Sequence, residues 1–355
     1  MQQNAVMITH LDQDFSQLTE FIESLKPSRL FFLVDENTHE LCLPVVLANL
    51  ETDIPLEILE IEAGEEMKTL ETAAQLWKIL TEFKADRNAL LINVGGGVIT
   101  DLGGFVASAY KRGIKFVHIP TTLLGMCDAS IGGKTGVDLN YVKNVVGSFA
   151  LPEHNFLHAG FLKTLDVDNL RSGFAEMLKH GLIADAEQWN SLAGITELTV
   201  ELIKPHLFDS MKIKQKIVEQ DFFEKSLRKS LNFGHTIGHA VESLILGSGN
   251  TVTHGDAVAM GMICETWLSA KTGNLSTAES EKITETIMRF FPPLDIGVFS
   301  DSDFLDLMSN DKKNSNGIIN FTLLSEIGIT KTDCSVPNEL IFEILKTYRR
   351  YSVVS

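Results

Sequence analysis

The chain has 355 residues, 44% of them hydrophobic, and carries 47 Asp and Glu against 30 Lys and Arg, a formal net charge of −17. That length supports two domains with their own cores, the apolar share excludes a disordered chain, and the charge argues against nucleic acid or an anionic membrane as partner. The first residues lack a basic stretch followed by an apolar one, and no apolar run approaches the ~20 residues that span a bilayer, so the expected location is the cytoplasm. Cys42, Cys127, Cys264 and Cys334 lie far apart without a CxxC pair and read as reduced packing residues rather than a disulfide framework or a thiolate zinc site.

In chain order, "LFFLV" (30–34), "LEILEI" (56–61), "LLINV" (90–94) and "FVHI" (116–119) predict strands, mostly buried on both faces. "LETAAQLWKILTEF" (70–83) predicts an amphipathic helix between two of them, which implies a parallel sheet with crossover helices. Ligands collect beyond the carboxyl ends of such strands, and here those ends carry Asp35, "GGGVITD" and "PTT". From about residue 165 helical periods dominate, in "GFAEMLKHGLIA", "LFDSMKIKQKIVEQ", "LNFGHTIGHAVESLI", "GDAVAMGMICETWLSA" and "NELIFEILKTYRR". "GIINFTLLSEIG" (317–328) is the one strand-like piece there. The expected architecture is an α/β N-terminal domain (1–166) with a Rossmann-like, mainly parallel sheet, then a mainly α-helical domain (167–355), with the active site in the cleft between them.

"GGGVITDLGGF" (95–105) follows a strand and opens a helix, so its backbone N–H groups suit a pyrophosphate, although a tight strand-to-helix turn explains it equally well. It departs from the GxGxxG fingerprint, which would need glycine where Thr100 stands. Asp35 suits a ribose hydroxyl or a helix N-cap. "DASIGGKTGVDLNYVKN" (128–144) joins Asp128, Lys134, Lys143 and Asn144 around glycines, as an anion-binding loop would, against a solvated surface loop. His235 and His239 stand at i and i+4, and His254 follows in "THGDAVAMG". That pair resembles HExxH spacing but lacks its glutamate general base. With Glu176 and Lys179 at i and i+3 in "GFAEMLKHG", the histidines suggest a catalytic zinc-type site made of imidazole and carboxylate, against ordinary packed histidines. The cation-rich "KIKQKIVEQDFFEKSLRKSLN" (212–232) reads as a solvated helix face, or as one placing Arg228 and Asn232, at i and i+4, toward the same cleft; "DKKN" (311–314) is equally open.

"GGGVITDLGGF", "PTTLLGMCDASIGGKTGVD", "KNVVGSF", "GFAEMLKHGLI", "LRKSLNFGHTIGHAVE", "HGDAVAMGM" and "DKKNSNG" together resemble, in order, the successive signatures of the 3-dehydroquinate synthase family, from about residue 60 to residue 330. The resemblance implies a carbon–oxygen lyase that turns 3-deoxy-arabino-heptulosonate 7-phosphate into 3-dehydroquinate and phosphate, the second step of the shikimate pathway. It implies transient oxidation at C5 by NAD, elimination of phosphate with the substrate's own phosphate oxygen as base, re-reduction, ring opening and an intramolecular aldol closure, with no net redox change.

By matching motifs, Glu176, His235 and His254 are the implied ligands of Zn2+, or of Co2+, which moves His239 from metal to substrate. Asp35 and Asn37 are implied near the adenosine ribose of NAD, and Glu65 and Lys68 of "GEEMK" on the nucleotide. Gly95, Gly96, Gly97 and Asp101 are implied for the pyrophosphate region, with Thr121, Thr122, Asp128, Lys143, Phe161, Thr164 and Leu165 completing the pocket. Lys134, Asn144, Lys179, Lys214, Arg228, Asn232, His239 and Lys312 or Lys313 match substrate positions. Arg112 of "YKRG" resembles a residue that reaches the neighbouring subunit's site, which implies a homodimer. Phe222 and Ser226 depart from the family's usual residues, which predicts altered loop packing with activity kept. Rival readings are a related cyclase of the 2-deoxy-scyllo-inosose or valiolone type, disfavoured by intact Arg228, Asn232 and "DKK"; a polyol dehydrogenase, disfavoured by "GGKTG" and the cations; and a silent NAD-binding protein.

Overall fold

Apolar runs of six residues, too short for helices and rich in branched side chains, become the centre of a parallel sheet. The computed structural model describes residues 6–11, 14–139, 142–309 and 319–354. It separates into two units, Met1–Asp166 and Val167–Ser355.

The first unit runs β1 (Ile8–His10), α1 (Ser16–Leu25), β2 (Leu30–Asp35), α2 (Glu36–Leu41), α3 (Leu43–Ala48), β3 (Leu56–Ile61), α4 (Leu70–Glu82), β4 (Leu90–Gly95), α5 (Gly97–Ala109), β5 (Lys115–Pro120), β6 (Lys134–Leu139), β7 (Val142–Phe149) and β8 (His154–Leu157). Six strands pair in parallel in the order β1-β8-β5-β4-β2-β3. The central strands β2 and β4 are buried on both faces apart from the partly covered Asp35, and Phe31, Leu33 and Leu91 pack with Leu102 and Val106 of α5 in one core. β3 is different from the expectation: as the edge strand it leaves Leu56 and Ile58 at 37% and 40% exposure. Leu33 is level with Asn93 and Gly95 with Pro120, so Asp35, the glycine turn and Pro120–Thr122 gather at the carboxyl edge of three neighbouring strands.

The glycine-rich segment after Asp128 is not a loop throughout. β6 and β7 form an antiparallel hairpin in which Gly136 and Gly147 stand opposite each other, and a Cβ on Gly147 would overlap the Thr135 carbonyl. Glycine lowers strand propensity, which hid this hairpin from the sequence pattern, while the close backbone approach is what requires it.

The second unit runs α6 (Val167–Ala184), α7 (Ala186–Ala193), α8 (Val200–Gln220), α9 (His235–Gly247), α10 (His254–Lys271), α11 (Thr277–Phe290), α12 (Asp301–Ser309), β9 (Asn320–Glu326), β10 (Ile329–Ser335) and α13 (Asn338–Val354). α10 is apolar nearly all round because it is the central helix, packed by α6, α9, α11, α13 and β9. β10, the antiparallel partner of β9, went unread: its exposed positions carry Ile329, Lys331 and Asp333, so no apolar alternation marks it. The helical run expected through residue 232 also breaks. α8 ends at Gln220, and Leu227–Asn232 forms a separate 3-10 turn, so Arg228 and Asn232 do not share an α-helical face.

Candidate active site

Glu176 sits mid-way along α6, fully buried, while His235 and His254 are the first residues of α9 and α10. Glycines let these three helices meet. A Cβ on Gly261 of α10 would run into the Gly234 carbonyl, and one on Gly238 of α9 would lie 3.0 Å from the Ala257 oxygen, so α9 and α10 cross backbone to backbone. α10 is pinned to α6 as well: Arg171 Nε and Nη2 donate to the two oxygens of Asp256 at 2.8 and 3.0 Å, and Gly255 N donates to Ser172 Oγ at 3.0 Å.

The result is convergence. Glu176, His235 and His254 each offer a ligand atom within 4.8 Å of the others. Glu176 Oε1 lies 3.5 Å from His235 Nε2 and 3.6 Å from His254 Nε2, while the buried Lys179 ammonium pairs with Oε2. His235 Nδ1 donates to the Phe233 carbonyl at 3.1 Å, which leaves Nε2 with its lone pair turned to the group. His254 Nδ1 lies 3.4 Å from Glu242 Oε2, the carboxylate–histidine arrangement that orients a ligand from behind. Burial works against a charged His254, but Glu242 and Glu176 outweigh it and push the imidazole up to about 10. The Glu176 and Glu242 carboxylates set against these imidazoles favour a cation in the group. Two imidazoles and one carboxylate without thiolate suit a zinc-type ion with an open coordination position. His239, one turn beyond His235, forms a second convergent group with Glu242 and His254. Glu242 was not singled out from sequence, although it stands at i+3 from His239 on the same face of α9.

Among the described residues of this unit, three cations are buried: Lys179, Lys214 of α8 at 6% exposure, and Arg228 at 2%. The turn after α8 organises the last. Asp221 accepts from the backbone N–H of Lys225, Ser226 and Arg228 at 2.9, 2.7 and 3.0 Å, and Arg228 Nη1 donates to the Phe222 carbonyl at 2.6 Å. Asn232 Nδ2 donates to Glu224 Oε1 at 3.0 Å. Phe222 and Ser226, the departures from the family pattern, thus contribute backbone groups to this turn. Lys312 and Lys313 lie outside the described residues.

In the first unit Asp35 caps α2: its carboxylate accepts from Thr38 N at 2.8 Å in a reciprocal capping box, with exposed Asn37 inside the helix. Gly97 opens α5 after Gly96, which supplies no side-chain cap to the first N–H groups of the helix. Three chain segments meet in one ion-pair group. Lys68 Nζ, 5% exposed, donates to Asp101 Oδ2 at 2.8 Å and lies 3.7 Å from Glu65 Oε1, which is also 3.7 Å from Lys143 Nζ. Burial lowers the Lys68 pKa, but Asp101 and Glu65 overcome it and raise the ammonium above its ordinary value. Thr121 N donates to the Gly95 carbonyl at 3.0 Å, and Thr122 Oγ1 accepts from Gly125 N at 2.9 Å at the start of the π-helical turn Gly125–Ala129 that carries Asp128. Asn144 adopts φ 53° on β7, its N–H donating to Asp138 Oδ1 at 2.7 Å, and exposed Lys134 opens β6. Phe161 and Thr164 belong to the 3-10 turn Ala159–Thr164, followed by Leu165. Cys42 is buried at the end of α2, and burial pushes its thiol up to about 11. Arg112 is exposed in a left-handed turn after α5.

Compared with known proteins, the fold is that of the sugar phosphate cyclases. It superposes with a TM-score of 0.88 on 2-epi-5-epi-valiolone synthase from Streptomyces hygroscopicus, a structure with NAD+ and Zn2+ bound, at 27% identity and covering 99% of this chain and 98% of that one. A 2-deoxy-scyllo-inosose synthase complexed with carbaglucose-6-phosphate, NAD+ and Co2+ gives a TM-score of 0.83 at 22% identity, over 97% and 99% of the two chains. Residues 58–172 match the 3-dehydroquinate synthase N-terminal family model and residues 173–314 the C-terminal one. A 3-dehydroquinate synthase of Parabacteroides distasonis is 44% identical over 340 residues, 94% of this chain and 95% of its own. The chain therefore belongs to the 3-dehydroquinate synthase family.

Proposed function

We propose that this chain carries out its family's reaction, converting 3-deoxy-D-arabino-heptulosonate 7-phosphate into 3-dehydroquinate and inorganic phosphate, with NAD and a zinc or cobalt ion as resident cofactors. The observation that carries the proposal is the convergence of Glu176, His235 and His254 within 4.8 Å beside the buried Lys179. When bound, NAD supplies reversible hydride transfer and the metal polarises substrate oxygens. The chain's own residues bind and orient. Asp35, Asn37, Glu65, Lys68, Asp101 and the N-terminal amides of α5 are assigned to the nucleotide, with Thr121, Thr122, Asp128, Lys143, Phe161, Thr164 and Leu165 around it.

Lys134, Asn144, Lys179, Lys214, Arg228, Asn232 and His239, with one lysine of Lys312 and Lys313, are assigned to the substrate. A chain of net charge −17 must collect its cations locally to hold a substrate that bears both a carboxylate and a phosphate. Burying Lys179, Lys214 and Arg228 fixes their charge where water screens it least. Elimination of phosphate needs no strong protein base when the leaving phosphate takes the proton itself, so binding and orientation are the residues' main work. The assigned residues are divided between the two units, so the reading requires both. We further propose a cytoplasmic homodimer in which Arg112 serves the neighbouring subunit's site; its exposure in a left-handed turn supports that role.

The test is direct. Purified protein with catalytic NAD+, Zn2+ and the heptulosonate phosphate is expected to release phosphate and 3-dehydroquinate in equal amounts without NADH accumulating. Turnover of a sugar phosphate lacking the carboxylate in preference to it would assign the chain to a valiolone-type activity instead, and NADH accumulation with polyols would overturn the cyclase reading altogether.

A further inference from the structure

α9 begins without a side-chain cap of its own. Its N-cap is Gly234 at φ 79°, and that position has no room for the serine, threonine or aspartate that usually fills it, because a Cβ there would lie 3.0 Å from the Val258 oxygen and closer still to Met262. The orphan N–H groups are satisfied from α10. Glu265 Oε2 accepts from Gly234 N at 2.7 Å, and Oε1 accepts from Thr236 N and Ile237 N at 3.1 and 3.2 Å. Glu265 is fully buried and stands one turn after Gly261, on the α10 face that abuts Gly234. A carboxylate at this depth is costly unless it is hydrogen-bonded, and here it meets three amides at the positive end of a helix.

The two oxygens grip the backbone on either side of His235. With Gly234 N and Thr236 N held by one carboxylate and the His235 ring tied to the Phe233 carbonyl, both the main chain and the imidazole of His235 are constrained by groups that no ligand provides. We infer that Glu265 is a positioning residue for His235: it caps α9 from the neighbouring helix and presets the His235 Nε2 for the metal. This rests on the reading that Glu176, His235 and His254 hold the ion.

The experiment compares metal-stripped wild type, Glu265→Gln and Thr284→Val, titrated with Zn2+ against a chromophoric chelator and with Co2+ by visible absorption. Glutamine keeps the shape of Glu265 but turns one oxygen into an amide donor opposed to a backbone N–H. Thr284→Val removes a hydrogen bond that α10 makes elsewhere, from Trp267 Nε1 at 2.9 Å, and so controls for general loosening. Glu265→Gln is expected to weaken Zn2+ binding roughly 10- to 100-fold and to shift the Co2+ bands, with Thr284→Val matching wild type in both. Wild-type affinity and spectrum in Glu265→Gln, or an equal loss in Thr284→Val, would overturn the inference while leaving the metal site intact. No stoichiometric metal on wild type would instead overturn the underlying site reading. If Glu265→Gln does not fold, amide exchange on metal-free wild type decides: Gly234, Thr236 and Ile237 are expected to exchange slowly already and to gain less than about tenfold protection from Zn2+, whereas fast exchange without metal would overturn the preset site.

Discussion

At the scale of single residues, buried polar side chains mark where the fold is tuned. Glu176→Gln removes the carboxylate from the proposed metal group, so the variant is expected to bind Zn2+ more than about 100-fold more weakly, beyond the usual cost of changing an outer-shell group, with its circular dichroism unchanged. Equilibrium dialysis checks this, and wild-type metal content would count against the ligand set. His118 offers a pH prediction. It lies in the middle of the parallel sheet, its Nδ1 accepting from Asn93 Nδ2 at 3.1 Å, and burial pushes its pKa down to about 3. The unfolded chain takes up this proton near pH 6.5 and the folded chain does not, so stability is complete above 6.5 and declines as pH falls from there toward 3, by at most about 1.4 kcal/mol per pH unit. His118→Gln should flatten that decline in urea unfolding measured between pH 7 and 5. Residue identity was legible for the cations and histidines but their grouping was not. Spacing alone pairs His235 with His239, whereas the carboxylate faces His235 and His254 through a helix crossing that no local pattern encodes.

At the scale of elements, the α9–α10 crossing is the sensitive one. Gly261→Ala would place a methyl group against the Gly234 carbonyl, forcing the helices apart. Overpacking of this kind costs about 1–3 kcal/mol, and because His235 and His254 open the two helices, the same substitution is expected to lower metal affinity along with the melting temperature. A variant that melts lower yet binds Zn2+ as wild type does would show that the crossing does not govern ligand spacing. The strands made of apolar runs were readable, as was α4, since each carries its burial in its pattern. The β6–β7 hairpin and β10 were not, because one is built on facing glycines and the other exposes alternate residues to solvent. The turn Asp221–Arg228 eluded the helical period for a third reason: the Asp221 carboxylate ends α8 by taking the amides of Lys225, Ser226 and Arg228.

At the scale of the whole molecule, the proposed homodimer can be tested by complementation. Arg112→Ala and Glu176→Gln proteins should each be nearly inactive, yet subunits mixed under exchange conditions should recover up to about a quarter of wild-type turnover, since half the dimers are mixed and one site of each is complete. Absence of recovery despite proven exchange would return Arg112 to its own subunit. The order of the large sheet carries a different consequence, for the time course of synthesis. Among the described residues β1 is outermost and pairs with β8 alone, with Ile8 beside Asn155 and Thr9 Oγ1 bonded to His154 across 145 residues of chain. At about 5–20 residues per second a nascent chain waits on the order of ten seconds before its first strand has a partner. β2 to β5 can assemble meanwhile, so the strand made first is the last to join the sheet.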